Sequence, residues 1–266
     1  SLSATGISKA GFDTNAYGLV MGYDRKFAGK SVILGGAFSY NHGSLDSTGD
    51  VLKTKNKYDS FGLHAYGAYA PVDRVNLIGT LSWMHNSSDI TQSINAAGFN
   101  KADADVKTNL FSLGARAEAN LPVGKANVIP HAGLRYVWAK SGSYDTKVDG
   151  KKVWGNTPDA TNTFQLPIGV AVRGDIMTVS GWNVRPQADL TFIPQFGDTE
   201  QKTKLSNFNG VSDKLSGEFA GKFGTSVNLG VQADKGPTTF GVRYGFTAGT
   251  KGKADHAFKF EYRYRF

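Results

Sequence analysis

The sequence predicts an all-β protein, specifically a transmembrane antiparallel up-and-down β-barrel. Three observations predict it: apolar and polar residues alternate through about eleven segments, the connections alternate between short and long, and the last segment is aromatic at every second position. Successive side chains of a β-strand point to opposite faces, so the alternation gives each strand one apolar and one polar face. No stretch approaches the roughly 18 to 20 apolar residues of a spanning helix, which excludes a helical membrane protein.

The closing segment shows the alternation most clearly. One parity carries the aromatic residues Phe258, Phe260, Tyr262, Tyr264 and Phe266, and the other carries Lys259, Glu261, Arg263 and Arg265. A strand divided in this way lays its aromatic face against a protein core or against lipid. The rest of the chain decides between the two, because a core-facing strand needs a second sheet to cover it.

Ten earlier segments pair into five predicted hairpins. Their tight turns lie near 28–30, 70–74, 122–126, 178–181 and 234–237, and each contains Gly or Pro, which is typical of short hairpin connections. Longer polar stretches, predicted to be loops, cover about 43–56, 88–106, 141–162 and 195–217. Pro130 falls on an apolar position of the sixth segment and would remove a ladder hydrogen bond, so we expect a bulge there or a place near the strand start.

The apolar parity carries no charge in the strand centres, which favours lipid over a soluble core. A Lys or Arg facing lipid at mid-membrane costs roughly 2 to 4 kcal/mol, so a lipid-facing surface must be free of charge. A soluble sandwich shows the same alternation, but its strands usually have about five or six residues, whereas these reach about ten, the length of a tilted membrane strand. Tight periplasmic turns alternating with long external loops are typical of outer-membrane barrels.

The polar parity is predicted to line a water-filled lumen. An interior packed with apolar side chains would need Leu and Ile there, but this parity carries Gly and charged residues. The predicted lumen-lining residues are Arg116, Glu118, Arg135, Arg173, Arg185, Asp189, Lys222, Arg243, Lys259, Glu261 and Arg263. Two roles stay open for them: they steer or hold an extended segment in transit, or they form ion pairs that fill space and stiffen the barrel.

The number of segments predicts a further strand. About eleven strands leave the two termini on opposite sides of the membrane, whereas single-chain bacterial barrels have even strand numbers. We therefore expect about twelve strands, with the first one missing from this sequence and residues 1–12 forming an external loop or linker.

Composition and motifs argue against other functions. The formal charge of +8 would suit nucleic acid, but Lys and Arg are scattered and no basic helix is predicted, so no nucleic-acid partner is expected. The five His residues accompany no HExxH or GxSxG motif, and the sequence has no Gly-rich phosphate loop or metal-spaced cluster. His64 and His131 are predicted to face inward, where they would meet Ser82 or Asp189 by chance. We expect no enzyme activity, no catalytic residue, no cofactor and no metal.

The segment Tyr17-Gly18-Leu19-Val20-Met21-Gly22-Tyr23-Asp24-Arg25 resembles the YGL-x-x-G-x-D-R segment found early in the translocator (β-barrel) domain of type V autotransporters. The closing aromatic strand is shared with that family and with most outer-membrane barrels. The resemblance implies that residues 1–266 are one translocator domain with twelve strands and a helix or linker in the lumen. It also implies that the domain exports and anchors an N-terminal passenger. A porin-like or adhesin-like barrel, whose external loops bind a ligand, is the alternative.

The resemblance further implies a location and partners. We expect the chain in the outer membrane of a Gram-negative cell, in contact with membrane lipid and lipopolysaccharide, its own passenger segment and the outer-membrane barrel assembly machinery. The closing strand is the predicted assembly signal, carried by Phe258, Phe260, Tyr262, Tyr264 and Phe266, because a free strand edge is suited to capture by β-augmentation. The simpler interpretation, compatible with the first, is that these residues are lipid-facing and belt aromatics.

Overall fold

The fold is one antiparallel sheet of 18 strand segments. The computed structural model describes residues 12–27, 31–47, 53–96, 99–198, 200–207, 212–218, 221–250 and 254–265. In chain order the strands are β1 (Phe12–Lys26), β2 (Val32–Ser47), β3 (Lys53–Val72), β4 (Val75–Ala96), β5 (Phe99–Ala119), β6 (Leu121–Val123), β7 (Ala126–Ser141), β8 (Tyr144–Val148), β9 (Lys151–Pro158), β10 (Thr161–Gln165), β11 (Ile168–Gly174), β12 (Ile176–Met177), β13 (Asn183–Gly197), β14 (Glu200–Asn207), β15 (Ser212–Glu218), β16 (Phe223–Lys235), β17 (Thr238–Gly249) and β18 (Ala254–Tyr264).

Eleven crossings account for most of the sheet in the described residues: β1 to β5, β7, β10 with β11, β13, and β16 to β18. Each crossing pairs with the next one along the chain, which is the predicted up-and-down order. β1 begins at Phe12, and the rest of the predicted loop or linker, residues 1–11, lies outside the described residues. Within the part of the chain that the structure covers, no helix has the length and hydrophobicity needed to cross a membrane.

Two prolines shape the middle of the sheet. Pro167 separates β10 from β11, which form one crossing because both pair with β7 on one side and β13 on the other. Proline has no N–H for the ladder, but the carbonyl of Pro167 still accepts a hydrogen bond from the Gly133 amide at 2.8 Å. Pro130 lies near the start of β7, opposite Val170 on β11, which is one of the two positions expected for it.

Short turns join the strands at the end of the barrel predicted to be periplasmic. Asp73 and Arg74 connect β3 to β4, and Arg74 has a φ of 71°. Gly124, with a φ of 60°, precedes β7, and Gly236, with a φ of 56°, precedes β17. Glycine suits a positive φ because it has no Cβ to clash with the backbone. The turn predicted at 28–30 lies outside the described residues.

At the opposite end, the prediction of long polar loops is wrong, because most of those residues form strands. β4 and β5 extend to Ala96 and Phe99, and two other polar stretches form the hairpins β8–β9 and β14–β15. β8 pairs with β5, and β9 pairs with β14, so the sheet continues well beyond the apolar band. These strands are polar on both faces, and no hydrophobic alternation therefore reveals them in the sequence. The extension is packed: Asn156 is 4% exposed, and burial raises the pKa of the Tyr144 phenol.

The exposure of the side chains is the reverse of that in a soluble protein. Among the described residues, the one buried hydrophobic side chain is Ile129. The buried polar residues are Ser39, Ser60, Ser88, Ser112, His131, Asn156, Thr161, Thr163, Thr191, Thr203 and Thr239. The apolar positions of the alternation are exposed, including Leu63 and Ile168, each at 56%. An apolar outer surface of this extent requires an apolar solvent, as lipid is.

The sheet curls strongly toward its polar face. The side chains of Arg116 on β5 and Asp189 on β13 approach to 4.0 Å, although β7 and β11 lie between these strands. In a flat sheet, three strand spacings would separate the backbones of β5 and β13 by roughly 14 Å. Arg263 and Glu261 on β18 lie close enough to the Tyr66 hydroxyl on β3 to interact with it electrostatically, so these two strands face each other across the lumen. In the described residues, β1 pairs only with β2, and β18 only with β17.

Candidate functional site

The polar face of the curled sheet forms the candidate site. We call it the lumen wall and define it as the polar-parity positions of the eleven crossings. It carries the predicted residues as follows: Arg116 and Glu118 on β5, Arg135 on β7, Arg173 on β11, Arg185 and Asp189 on β13, Lys222 just before β16, Arg243 on β17, and Lys259, Glu261 and Arg263 on β18. Residues far apart in the chain meet on this face because the strands place them side by side.

Asp189 is the centre of one group of contacts on the lumen wall. Its Oδ2 atom lies 2.9 Å from Nε2 of His131 and 4.0 Å from Nη2 of Arg116. Its Oδ1 atom accepts a 2.5 Å hydrogen bond from the Thr191 hydroxyl. Arg116 also contacts Glu118, with 3.2 Å between Nη2 and Oε2. The group joins β5, β7 and β13 and fills part of the lumen with mutually paired charges.

Gly169 allows His131 to reach Asp189. Strand β11 lies between β7 and β13, and Gly169 is its polar-face residue at this level, opposite His131. A Cβ atom on Gly169 would lie 2.6 Å from Cε1 of His131, which is closer than real Cβ contacts. The imidazole therefore crosses β11 over bare backbone, and a glycine is needed at that position.

The two contacts that the sequence suggested for histidine both occur. His64 on β3 lies between two hydroxyls, 2.8 Å from Oγ of Ser39 and 2.9 Å from Oγ of Ser82. His131 instead contacts Asp189. The two histidines have different partners, and no Ser-His-acid arrangement joins them in the described residues. An activated nucleophile needs a neighbouring base that a third group orients. The described contacts of His64 and His131 are instead hydrogen bonds between neighbouring strands of the lumen wall.

A second group of contacts was missed in the sequence. Asp234, which the sequence places in a turn, accepts hydrogen bonds from Arg185, from the Thr239 hydroxyl at 2.6 Å and from Gln232 at 3.2 Å. Thr239 is 2% exposed. Asp234 lies at the end of β16 on the polar parity. In the sequence, only this parity indicated that Asp234 could accept hydrogen bonds on the lumen wall.

The basic residues of the lumen wall fall into two groups. Three are ion-paired with acidic neighbours: Arg116, Arg185 and Arg263. Five form no ion pair with a carboxylate in the described residues: Arg135, Arg173, Lys222, Arg243 and Lys259. Of these, Arg135 donates to the Ser112 hydroxyl at 3.2 Å. The ion-pair role therefore accounts for the first group, while the second leaves positive charge directed at the lumen.

Three neighbouring strands of the lumen wall carry no charge. The polar-parity positions of β2, β3 and β4 carry no Asp, Glu, Lys or Arg. They carry mostly Gly, Ser, Thr, Asn, His and Tyr instead. One side of the lumen wall is consequently neutral and hydrogen-bonding, whereas the side from β5 to β18 is basic.

The aromatic residues of β18 are strongly exposed. The exposed fractions are 80% for Phe258, 69% for Phe260, 57% for Tyr262 and 47% for Tyr264. Phe266, the last residue of the predicted assembly signal, lies outside the described residues. This exposure is compatible with both interpretations of the strand, as a lipid-facing surface and as a recognition element.

Comparison with known proteins also indicates an outer-membrane barrel. Residues 3–245 match the family model described as Autotransporter beta-domain. The chain belongs to the autotransporter beta-domain family. No curated protein matches the chain in sequence.

Three solved structures of autotransporter domains share the fold. The beta domain of the Bordetella autotransporter BrkA aligns with a TM-score of 0.71 and 18% identity, over 96% of this chain and 92% of that one. The translocator domain of NalP from Neisseria meningitidis gives 0.72 and 17%, over 98% and 83%. The transport unit of AIDA-I from Escherichia coli gives 0.66 and 14%, over 96% and 84%. At these identities the likeness is one of fold.

Membership of the autotransporter beta-domain family confirms several predictions. The fold class is the transmembrane antiparallel β-barrel, and the location is the cell outer membrane of a Gram-negative bacterium. The family's function is the export of a linked passenger in type V secretion, which does not favour a porin-like or adhesin-like barrel. The family is one of transport domains.

Proposed function

We propose that this β-barrel domain passes an N-terminal passenger through its lumen to the cell surface and then anchors the passenger there. The observation that carries the proposal is the inverted distribution of side chains. Apolar residues cover the outside, and Ser, Thr, Asn, His and paired charges line the inside. Lipid cannot hydrogen-bond to backbone groups, so a hydrogen-bonded sheet is a stable wall, and a polar lumen is suited to a hydrated, unfolded segment.

In this mechanism the residues of the barrel provide a passage and do not drive the movement of the passenger. A wall lined with charges and hydroxyls keeps a narrow channel wet, which lowers the cost of moving a polar backbone through it. No described residue supplies chemical energy to the process. Folding of the passenger outside the cell supplies direction, because a folded passenger no longer fits the lumen.

A crosslinking experiment tests the route. The chain has no Cys, so a single introduced thiol is unique. Ala257→Cys places a thiol on the lumen wall, and Val242→Cys places one on the lipid-facing side of the neighbouring strand. With a passenger stalled during export and carrying one Cys, we expect a disulfide with the first variant and none with the second. Equal crosslinking of both variants, or of neither, would contradict passage through the lumen.

We also propose that β18 acts as the assembly signal recognised by the outer-membrane barrel assembly machinery. β18 offers a strand edge that has no partner in the described residues, and its aromatic residues project from one face. A strand edge supplies backbone hydrogen bonds for β-augmentation, and alternate side chains supply specificity. Both features support the proposal.

Contact with membrane lipid and lipopolysaccharide is the third part of the proposal. The apolar outer face is suited to acyl chains. Lys53, Lys55 and Lys57 continue the outward parity of β3 beyond Phe61 and are exposed. The ammonium groups of these lysines can bind the phosphate groups of lipopolysaccharide. Lys55 also lies 3.7 Å from Asp46. Co-purification of lipopolysaccharide that falls on Lys53→Gln/Lys57→Gln substitution would support this contact, and unchanged co-purification would contradict it.

A further inference from the structure

Two cations lie side by side on the lumen wall. Arg243 on β17 and Lys259 on β18 are directly opposed cross-strand neighbours. Such residues have Cα atoms about 4.5 to 5.5 Å apart, and like charges in this position repel. Neither forms an ion pair with a carboxylate in the described residues. Among the described residues, the two positive charges therefore lie together with no carboxylate within ion-pair distance of either.

The neighbours of Arg243 leave it uncovered. Gly230 lies directly opposite Arg243 on β16, and Gly241 and Gly245 are the adjacent polar-face residues of β17. Three of the four positions around the arginine on the lumen wall thus have no side chain, and the fourth is Lys259. The result is a recess whose floor is largely backbone, and Arg243, Lys259, Gln187 and Glu261 are among the residues that line it.

Gln187 fixes the guanidinium in this recess. The side-chain amide of Gln187, on β13, crosses β16 at Gly230, where a Cβ atom would lie 3.2 Å from it. With its oxygen facing β17, this amide accepts hydrogen bonds from Nη2 of Arg243 at 2.9 Å and from Nε at 3.3 Å. Arginine has five N–H donors, so this neutral partner orients the group and leaves other donors available to a ligand.

The nearest acidic residue on the same strand does not neutralise the pair. Glu261 contacts Arg263, with 3.2 Å between Oε1 and Nη2. The facing side of the lumen, formed by β2 to β4, carries no charged polar-parity residue. Glu261 lines the same recess, but it is paired with Arg263, and Asp24 on β1 accepts a hydrogen bond from Tyr66. A ligand in the lumen therefore meets the Arg243–Lys259 pair as a site of net positive charge.

We propose that Arg243 and Lys259 form an anion site that binds the carboxylate groups of an acidic peptide segment inside the lumen. A guanidinium matches a carboxylate with two parallel N–H donors, and the adjacent ammonium adds a point charge. The natural ligand, an acidic stretch of the passenger, rests on the proposed translocation function, whereas the site itself does not. The site would slow or hold acidic segments at this depth of the channel.

Single-channel recording tests the site without a passenger. The protein is reconstituted in a planar bilayer, and a soluble peptide of alternating Glu and Ser is added as the probe. We expect the peptide to block the current and the Arg243→Gln/Lys259→Gln variant to lose at least about tenfold in blocking affinity. The charge-preserving variant Arg243→Lys/Lys259→Arg should stay within about threefold of the parent, which excludes loss of folding as the cause.

Lys259→Gln and Arg263→Gln form a matched pair, since each removes one positive charge from the lumen side of β18. We expect a loss of at least about fivefold in blocking affinity for the first and less than about twofold for the second. Equal losses would show general electrostatics and overturn the site, as would an absence of block by the parent. Block that persists in a barrel unable to export its passenger supports the anion site while counting against translocation, so the two proposals fail separately.

Discussion

The Tyr66 hydroxyl donates a 3.0 Å hydrogen bond to Oδ2 of Asp24, although strand β2 lies between their strands β3 and β1. Gly35 on β2 makes this contact possible. It pairs with both Asp24 and Tyr66, and the Tyr66 ring lies over its backbone. Asp24 belongs to the segment that carries the resemblance to autotransporters. This residue of the motif therefore has a mechanical role, because its hydrogen bond ties the first three strands together.

Gly35→Val should destabilise the barrel by about 1 to 3 kcal/mol, because overpacking forces side chains and backbone to move. A Cβ atom at this position would lie 2.4 Å from Cζ of Tyr66, so the ring would have to leave Asp24. Urea-induced unfolding in detergent, followed by tryptophan fluorescence, measures the change. Gly36→Val is the control, since the nearest atom to a Cβ at Gly36, the His64 carbonyl oxygen, is 3.5 Å away. Similar losses for both variants would contradict this account of Gly35.

The sequence predicts the membrane-embedded part of the fold well, and the reason is physical. Lipid excludes charge and polar groups from one face, so residues such as Leu63 and Phe258 mark their strands by parity. Strands β8 and β9 lie beyond the apolar band, where neither face meets lipid, and the same rule gives no signal there. Thr146 and Asn156, which hydrogen-bond between these two strands at 2.9 Å, therefore fall in a stretch predicted to be a loop.

The site was only partly predictable, because its contacts depend on register and curvature. The polar parity identified His131 and Asp189 as inward-facing, and their contact was foreseen only as a chance meeting. They are 58 residues apart in the chain, and they meet because Gly169 lies between them. The contact between Arg116 and Asp189 depends on how far the sheet curls, and no local pattern in the sequence encodes that curvature.

Asp189→Asn should destabilise the barrel by about 1 to 3 kcal/mol, the cost of losing a charged partner for buried hydrogen-bonding groups. His131, with only 1% of its side chain exposed, would lose its charged acceptor, and Arg116 would keep only Glu118. The same urea titration measures the loss. The control is Asp145→Asn, which removes an exposed ion pair with Lys152 outside the membrane and should change stability by about 0 to 1 kcal/mol. If both variants match the parent, the group around Asp189 does not stabilise the wall.

Deletion of Phe266 should reduce assembly in the outer membrane several-fold while leaving the purified barrel able to fold in detergent. The reason is that the assembly signal acts on recognition, whereas the remaining aromatics of β18 still face lipid. Heat-modifiable mobility of the membrane fraction measures assembly in cells. Phe266→Tyr is the matched control and should assemble normally, since it keeps an aromatic ring at the same parity. Normal assembly of the deletion would show that Phe266 is not part of a signal.

Exchange of two neighbouring residues tests the orientation of the whole barrel. Leu134 on β7 is 49% exposed on the apolar parity, and Arg135 lies on the lumen wall, where it donates to Ser112. The double variant Leu134→Arg/Arg135→Leu keeps composition and net charge, yet it places a guanidinium in lipid at a cost of roughly 2 to 4 kcal/mol. We expect poor assembly and a matching loss of stability in urea.

The single variant Arg135→Leu separates the two halves of that exchange. It removes the hydrogen bond to Ser112 but leaves the outer face apolar, so we expect a loss of only about 0.5 to 1.5 kcal/mol. The difference between the double and the single variant then reports the transfer of arginine into lipid. A double variant as stable as the single one would mean that Leu134 does not face lipid, and the assignment of the two faces of the sheet would be reversed or wrong.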